Sequence, residues 1–180
     1  FEVTYLNVSK DGFVNAEELK KAIRDDTILV TIMHANNEIG TMQDIDKIGK
    51  ICSEKEVVFH TDAVQSLGKI PLDVKEVNVD FVSFSAHKIH GPKGIGALFI
   101  RNKKQLQPLF HGGAQEFGLR PGTENVSGAV GFAKAVDMLS ETEVKKMTEL
   151  RDYLIEKLLE IPEACLNGSR ENRLCNNVNV

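Results

Sequence analysis

Thr27-Ile-Leu-Val-Thr-Ile-Met-His34 is a nearly unbroken apolar run of strand length, rich in β-branched side chains. Apolar residues at successive positions predict a strand buried on both faces of a parallel sheet, where helices cover each side. Helices are predicted on either side of this run. Upstream, Asn15-Ala-Glu-Glu18 carries the N-cap and capping-box pattern, and Leu19, Ala22 and Ile23 continue at helical spacing to about Arg24. Downstream, Asp44 caps a helix whose inward stripe is Ile45, Ile48, Ile51 and Cys52. Further short strands follow at Val57-Val-Phe-His60, Phe81-Val-Ser-Phe-Ser85 and Gly96-Ala-Leu-Phe-Ile100. Strands alternating with helices make an α/β fold with an open, mainly parallel sheet and right-handed crossovers.

The ends of the chain alternate polar with apolar residues. Phe1-Glu-Val-Thr-Tyr-Leu6 reads as an opening strand, Asn177-Val-Asn-Val180 as another alternating run, and the absence of an initial Met as a piece of a longer protein. A helix is predicted from Ser127 to about Leu139. A second begins near Thr142, with Val144, Met147, Leu150, Leu154, Leu158 and Ile161 as its apolar stripe, and Pro162 ends it. Its length and charge suit a helix connecting two domains. The expected division is therefore 1–140, and 141–180 as connecting helix and start of a smaller C-terminal domain.

Composition narrows the function. Among 180 residues, 22 Lys plus Arg against 26 Asp plus Glu give a net charge of −4, which lacks the basic excess of a nucleic-acid binder. No apolar run is long enough to span a bilayer, so no membrane partner is expected. Three cysteines, Cys52, Cys165 and Cys175, without CxxC spacing indicate neither a disulfide framework nor a zinc knuckle, and the default location is cytoplasmic.

In open α/β sheets, ligands lie beyond the carboxyl ends of the strands. Three segments fall there: Ala35-Asn-Asn-Glu-Ile-Gly40, Thr61-Asp-Ala-Val-Gln65 and Ser85-Ala-His-Lys-Ile-His-Gly-Pro-Lys-Gly94. Together they hold amides, a carboxylate, a hydroxyl, imidazoles and a lysine. Lys88, directly after an apolar strand, is expected to be partly desolvated and nucleophilic enough to form an imine. Taken singly it is an ordinary surface lysine, and Asp62 a turn residue. Together, Asp62 supplies the carboxylate that keeps a pyridine nitrogen protonated in an electron-sink cofactor. Ser85, His87, Gly91 and Gly94 suit an anion or cofactor seat, although the glycines would equally serve a turn.

Other chemistries have less support. Neither Gly-x-Gly-x-x-Gly nor a P-loop occurs, and His87 and His90 lack the further ligands of a metal site, so no metal is expected. Ser85-Ala-His-Lys88 satisfies the Ser-x-x-Lys pattern of acyl transfer, but Lys-Thr-Gly and Ser-Asp-Asn are absent and Ser85 ends a strand instead of opening a helix.

His60-Thr-Asp-Ala-Val-Gln65, Ser83-Phe-Ser-Ala-His-Lys-Ile-His-Gly-Pro-Lys-Gly-Ile-Gly-Ala97, Asn36-Asn-Glu-Ile-Gly40 and His111-Gly-Gly-Ala-Gln-Glu-Phe-Gly-Leu-Arg-Pro-Gly-Thr-Glu-Asn125 together resemble the cysteine desulfurases. These belong to the class V aminotransferase group of pyridoxal-phosphate enzymes. The resemblance implies a three-layer α/β/α fold of type I, present as part of the large domain. It implies that Lys88 holds pyridoxal 5′-phosphate as an imine and shuttles protons, and that Asp62 pairs with the pyridine nitrogen. Gln65 would meet the ring hydroxyl, Ser85 and His87 the phosphate, Thr123 the phosphate of a partner subunit in a homodimer, and Asn37 the substrate carboxylate. The chain departs from the family at Ala114 and Phe117, where a glycine and an arginine are usual.

The activity so implied converts L-cysteine to L-alanine, with sulfur passed as an enzyme persulfide to a sulfur-acceptor or iron–sulfur scaffold protein. None of the three cysteines matches the persulfide carrier, whose loop would follow Val180, so these 180 residues alone are expected to be inactive. The alternatives are a selenocysteine lyase or other class V enzyme and, from another class, a non-catalytic module binding its partner through residues 142–161.

Overall fold

The computed structural model describes residues 1–180, apart from the side chain of Lys104. Four strands form one sheet in chain order: β1 (Leu29–Thr31), β2 (Val58–Asp62), β3 (Phe81–Ser85) and β4 (Gly96–Ile100). β1, β2 and β3 are parallel, and β4 returns antiparallel beside β3 with Phe81 opposite Ile100 and Ser85 opposite Gly96. The sheet is mostly parallel with flanking helices, as expected.

Local signals explain most of the elements. Asn15 caps α1 (Ala16–Ala22) by accepting the Glu17 and Glu18 N–H groups at 2.8 and 3.2 Å. The helix stops short of the expected Arg24 because Ile23 is extended and the Thr27 hydroxyl takes the Arg24 N–H at 2.9 Å. Asp44 caps α2 (Ile45–Glu54), and Ile45, Ile48, Ile51 and Cys52 are all buried. They pack on one sheet face with Val30, Phe59 and Val82. Full burial of a side chain such as Phe59 contributes about 1.5–3 kcal/mol.

β1 departs from its expected environment. Val30, Ile32 and His34 are buried, but Leu29 is 47 % exposed and Thr31 is exposed, so only one face is covered. A continuous apolar run reports the capacity to be covered on both sides; whether a cover exists is a tertiary matter. The Phe1–Leu6 run forms no strand either. It pairs with no strand among the described residues, and Phe1, Val3 and Tyr5 are exposed.

α3 (Val126–Asp137) is capped by Asn125, which accepts the Gly128 N–H at 3.0 Å. Met138, Leu139 and Ser140 separate it from α4 (Glu141–Leu159). The predicted stripe of α4 is displaced: Leu150 and Leu154 are exposed, and the fully buried side chain is Ile155. Arg151 holds that side in place by donating to the Arg173 and Leu174 carbonyls at 2.9 and 3.1 Å. Among the described residues, no helix is long and apolar enough to cross a membrane.

Candidate active site

β2 ends where a side chain takes over from the ladder. Asp62, the last residue of the strand instead of the second after it, accepts the Val64 N–H on its carboxylate at 2.9 Å, which turns the chain. Its carbonyl accepts the His34 N–H at 2.9 Å, so the ends of the first two strands are joined. Strand alternation sends Phe59 and Thr61 under α2, and His60 and Asp62 to the opposite face. Ser83 stands beside Asp62 in the register, and Ser85 follows two residues on. That face therefore carries a polar lane: Thr31 Oγ1 lies 2.7 Å from His60 Nδ1, and His60 Nε2 lies 2.8 Å from Ser83 Oγ. Burial pushes His60 below its usual imidazole range, and the nearby Asp62 charge partly offsets this.

After β3 the chain makes a 3-10 turn, Ala86–Ile89, anchored by buried Ala86 and Ile89. His87 and Lys88 point the other way and are exposed. The turn closes with the Gly91 N–H on the Ala86 carbonyl at 2.9 Å; a Cβ on Gly91 would lie 2.9 Å from both the Ala86 carbonyl and its Cβ, which is why glycine stands there. Within the turn, Ser85 Oγ and His87 Nδ1 are 2.7 Å apart. The edge thus gathers Asp62, Ser85, His87 and Lys88.

One expectation fails here. Lys88 is exposed, and the lysine desolvated at this edge is Lys69, whose ammonium group donates to the Gln65 and Lys88 carbonyls at 3.1 and 3.5 Å. Burial pushes Lys69 below its usual range; the nearby Cys175 partly offsets this, and the Lys88 charge adds to it. Sequence reasoning passed over Lys69 because its burial comes from packing, although its place four residues after Gln65 put it in the right turn.

Gln65 is half-buried, with its backbone carbonyl engaged by Lys69. Asn37 is exposed in a loop whose shape comes from Asn36: the Asn36 Oδ1 accepts the Glu38 and Ile39 N–H groups, both at 2.9 Å. Thr123 lies in the exposed segment before α3, separate from this edge along the chain, and makes no hydrogen bond among the described residues. At the family departure, Phe117 has φ 60° and Lys103 Nζ sits 3.4 Å from its ring centroid, so an aromatic ring holds a cation near the place where an arginine was expected.

Of the three cysteines, Cys175 lies near enough to Lys69 for their charges to interact. Cys52 is in the core with its thiol pushed up to about 11 by burial, Cys175 is buried, and Cys165 is exposed. No group of three or more potential metal ligands occurs among the described residues.

A parallel sheet whose ligand edge presents a lysine after one strand and a carboxylate at the end of its neighbour has the architecture of fold-type-I pyridoxal-phosphate enzymes, and the solved structures it resembles share that fold. Over residues 1–180 the sequence matches aminotransferase class-V, and the chain belongs to that family. It is 52 % identical to cysteine desulfurase IscS of Dictyoglomus turgidum over 99 % of this chain and 46 % of that protein. With cysteine desulfurase IscS of Methanosarcina thermophila the identity is 55 %, over 100 % and 45 %. A solved NifS-like protein superposes with a TM-score of 0.91 at 43 % identity, covering 99 % of this chain and 50 % of that one. SspA in complex with cysteine gives 0.83 at 42 % identity, covering 97 % and 49 %. The chain spans about half the length of the curated relatives it matches.

Proposed function

We propose that the chain is the cofactor-binding half of a pyridoxal-phosphate-dependent cysteine desulfurase. The observation that carries this is the gathering of Asp62, Ser85, His87 and Lys88 at the carboxyl edge of adjacent parallel strands. The donor set fits the group: a hydroxyl and an imidazole for a phosphate, a carboxylate for a pyridinium nitrogen, an amine for an aldehyde. When bound, pyridoxal phosphate supplies an electron sink that weakens bonds at the substrate α-carbon.

The protein's own residues supply the rest. Asp62 holds a proton on the ring nitrogen, and Gln65 meets the ring hydroxyl. Ser85 and His87 hold the phosphate, joined by the partner's copy of Thr123 in a homodimer. Lys88 would hold the cofactor covalently and would move protons at the substrate carbon, a role worth about 10²–10⁴ in rate. Its assignment rests on its place after β3 and on the motif around it, and its side chain is exposed in this chain. Asn37 contacts the substrate carboxylate. The proposal further includes L-cysteine as substrate, L-alanine as product, a sulfur-acceptor or iron–sulfur scaffold partner, a cytoplasmic location, and a division into 1–140 and 141–180. Relatives named cysteine desulfurase favour this substrate over selenocysteine.

The test is borohydride reduction of the full-length, cofactor-loaded protein followed by peptide mapping. The label is expected on Lys88, and Lys88→Ala is expected to lose both the cofactor absorbance band and alanine production from cysteine. A label on Lys69, or turnover by the Lys88→Ala protein, defeats the assignment.

A further inference from the structure

The loop that presents Asn37 is held from the far end of the chain. Asn177 donates from Nδ2 to the Asn37 carbonyl at 3.2 Å and to the Glu38 carbonyl at 3.0 Å. Asn179 Nδ2 adds a second bond to the Glu38 carbonyl at 3.2 Å. Gly40, with φ 73°, leaves room for this contact: a Cβ there would meet Asn177 Oδ1 at 2.6 Å. The backbone on both sides is tied as well, with the Leu174 N–H on the Gly40 carbonyl and the Met42 N–H on the Asn172 carbonyl, each at 2.9 Å. By contrast the Asn37 side chain is exposed and, among the described residues, makes no hydrogen bond. Its backbone is fixed and its amide uncommitted, which is the condition of a group presented to a ligand.

Asn177 is itself oriented by a buried cation. Arg173 is 2 % exposed and donates to the Ser169 carbonyl at 2.8 Å, to the Asn167 carbonyl, and to Asn177 Oδ1 at 3.0 Å. A guanidinium can only donate and a carbonyl can only accept, so the Asn177 amide has one consistent orientation, with its oxygen on Arg173 and its NH₂ on the loop.

We propose that Asn177 is the positioning residue of the substrate-carboxylate loop, acting through Asn37 and itself held by Arg173. The inference rests on the reading of Asn37 as the carboxylate contact. A loop that loses these bonds presents the Asn37 amide less well, which weakens the carboxylate contact by about the worth of the hydrogen bonds removed.

Asn177→Asp separates the two ends of this relay. The carboxylate keeps an acceptor for Arg173 while both donors to the loop are lost. The experiment uses the full-length, cofactor-loaded protein and follows the cofactor spectrum on titration with L-alanine, which carries a carboxylate, and with 2-aminoethanethiol, which does not. Alanine affinity is expected to fall about ten-fold, the equivalent of one to two hydrogen bonds, with the aminothiol affinity and the unliganded spectrum unchanged and the KM for L-cysteine raised more than kcat falls. Equal changes for both ligands, or none, overturn the inference. Asn179→Ala, which removes the second donor to the Glu38 carbonyl, is the variant to read if Asn177→Asp does not fold; a smaller shift in the same alanine-to-aminothiol ratio supports the inference and an unchanged ratio overturns it. A parent protein that binds no pyridoxal phosphate or ignores L-cysteine defeats the reading of the site itself, which is a separate outcome.

Discussion

The hydroxyl of Ser85 and Nδ1 of His87 lie 2.7 Å apart, across a turn whose middle residue, Ala86, is fully buried. The buried methyl fixes the turn, and the turn in turn aims two polar groups at the same point beyond β3. Ser85→Ala is expected to weaken retention of the phosphorylated cofactor about ten-fold or more, the size of a hydrogen bond to a charged group. Dialysis of the loaded full-length protein, followed by the cofactor absorbance, measures it; retention equal to the parent's contradicts a phosphate role.

His34 gives the fold a pH dependence. Its side chain is 4 % exposed, its Nδ1 has no hydrogen-bond partner among the described residues, and burial pushes it below its ordinary value of 6.5, against a weaker opposing pull from Asp46. The unfolded chain therefore takes up this proton first as pH falls. The stability His34 contributes is complete above about pH 6.5 and is lost as the pH drops through the lower folded value, at about 1.4 kcal/mol for each unit of depression. Urea midpoints of the full-length protein at pH 7.5 and 5.5 should differ less in His34→Gln than in the parent. An equal acid loss in both proteins would rule the histidine out as the source.

Thiol reactivity should follow burial. Cys165 is exposed, whereas Cys52 and Cys175 are buried with their thiols pushed up by loss of solvent. Brief treatment of the native protein with iodoacetamide and peptide mapping is expected to label Cys165 at least ten-fold faster than either of the others. Fast labelling of Cys52 would mean that α2 does not pack on the sheet as described.

Arg173→Met should destabilise the protein by about 1–3 kcal/mol, because the partly buried Ser169 and Asn177 oxygens and the Asn167 carbonyl lose their donor. Chemical denaturation reads the cost. A change under about 0.5 kcal/mol would show that those oxygens are solvated instead.

Much of the scaffold was legible because its signals are local. Asn15 and Asp44 announce their helices by offering an oxygen to amides two or three residues ahead, and the limits of β3 and β4 follow from apolar runs bounded by a turn. The two-residue period of a strand also pairs Ser83 with Ser85 on one face of β3, although that His60 and Asp62 share this face follows only from the register of β2 against β3. The α4 stripe was misjudged because its amphipathicity is shallow, and the buried side was chosen by the contact of Arg151 with the Arg173 and Leu174 carbonyls.

By itself the sequence determined which segments follow the strands, since the limits of a strand and the turn after it depend on neighbours a few positions away, whereas the order of the strands is set by pairings such as Leu29 with Val58. Only the tertiary structure decided that Lys88 is exposed while Lys69 is partly buried, that β1 is covered on one face, and that Asn177 reaches back to Asn37. Those outcomes depend on what lies across space from a residue. Groups well over a hundred positions apart leave no periodicity or spacing in the chain by which their meeting could be read.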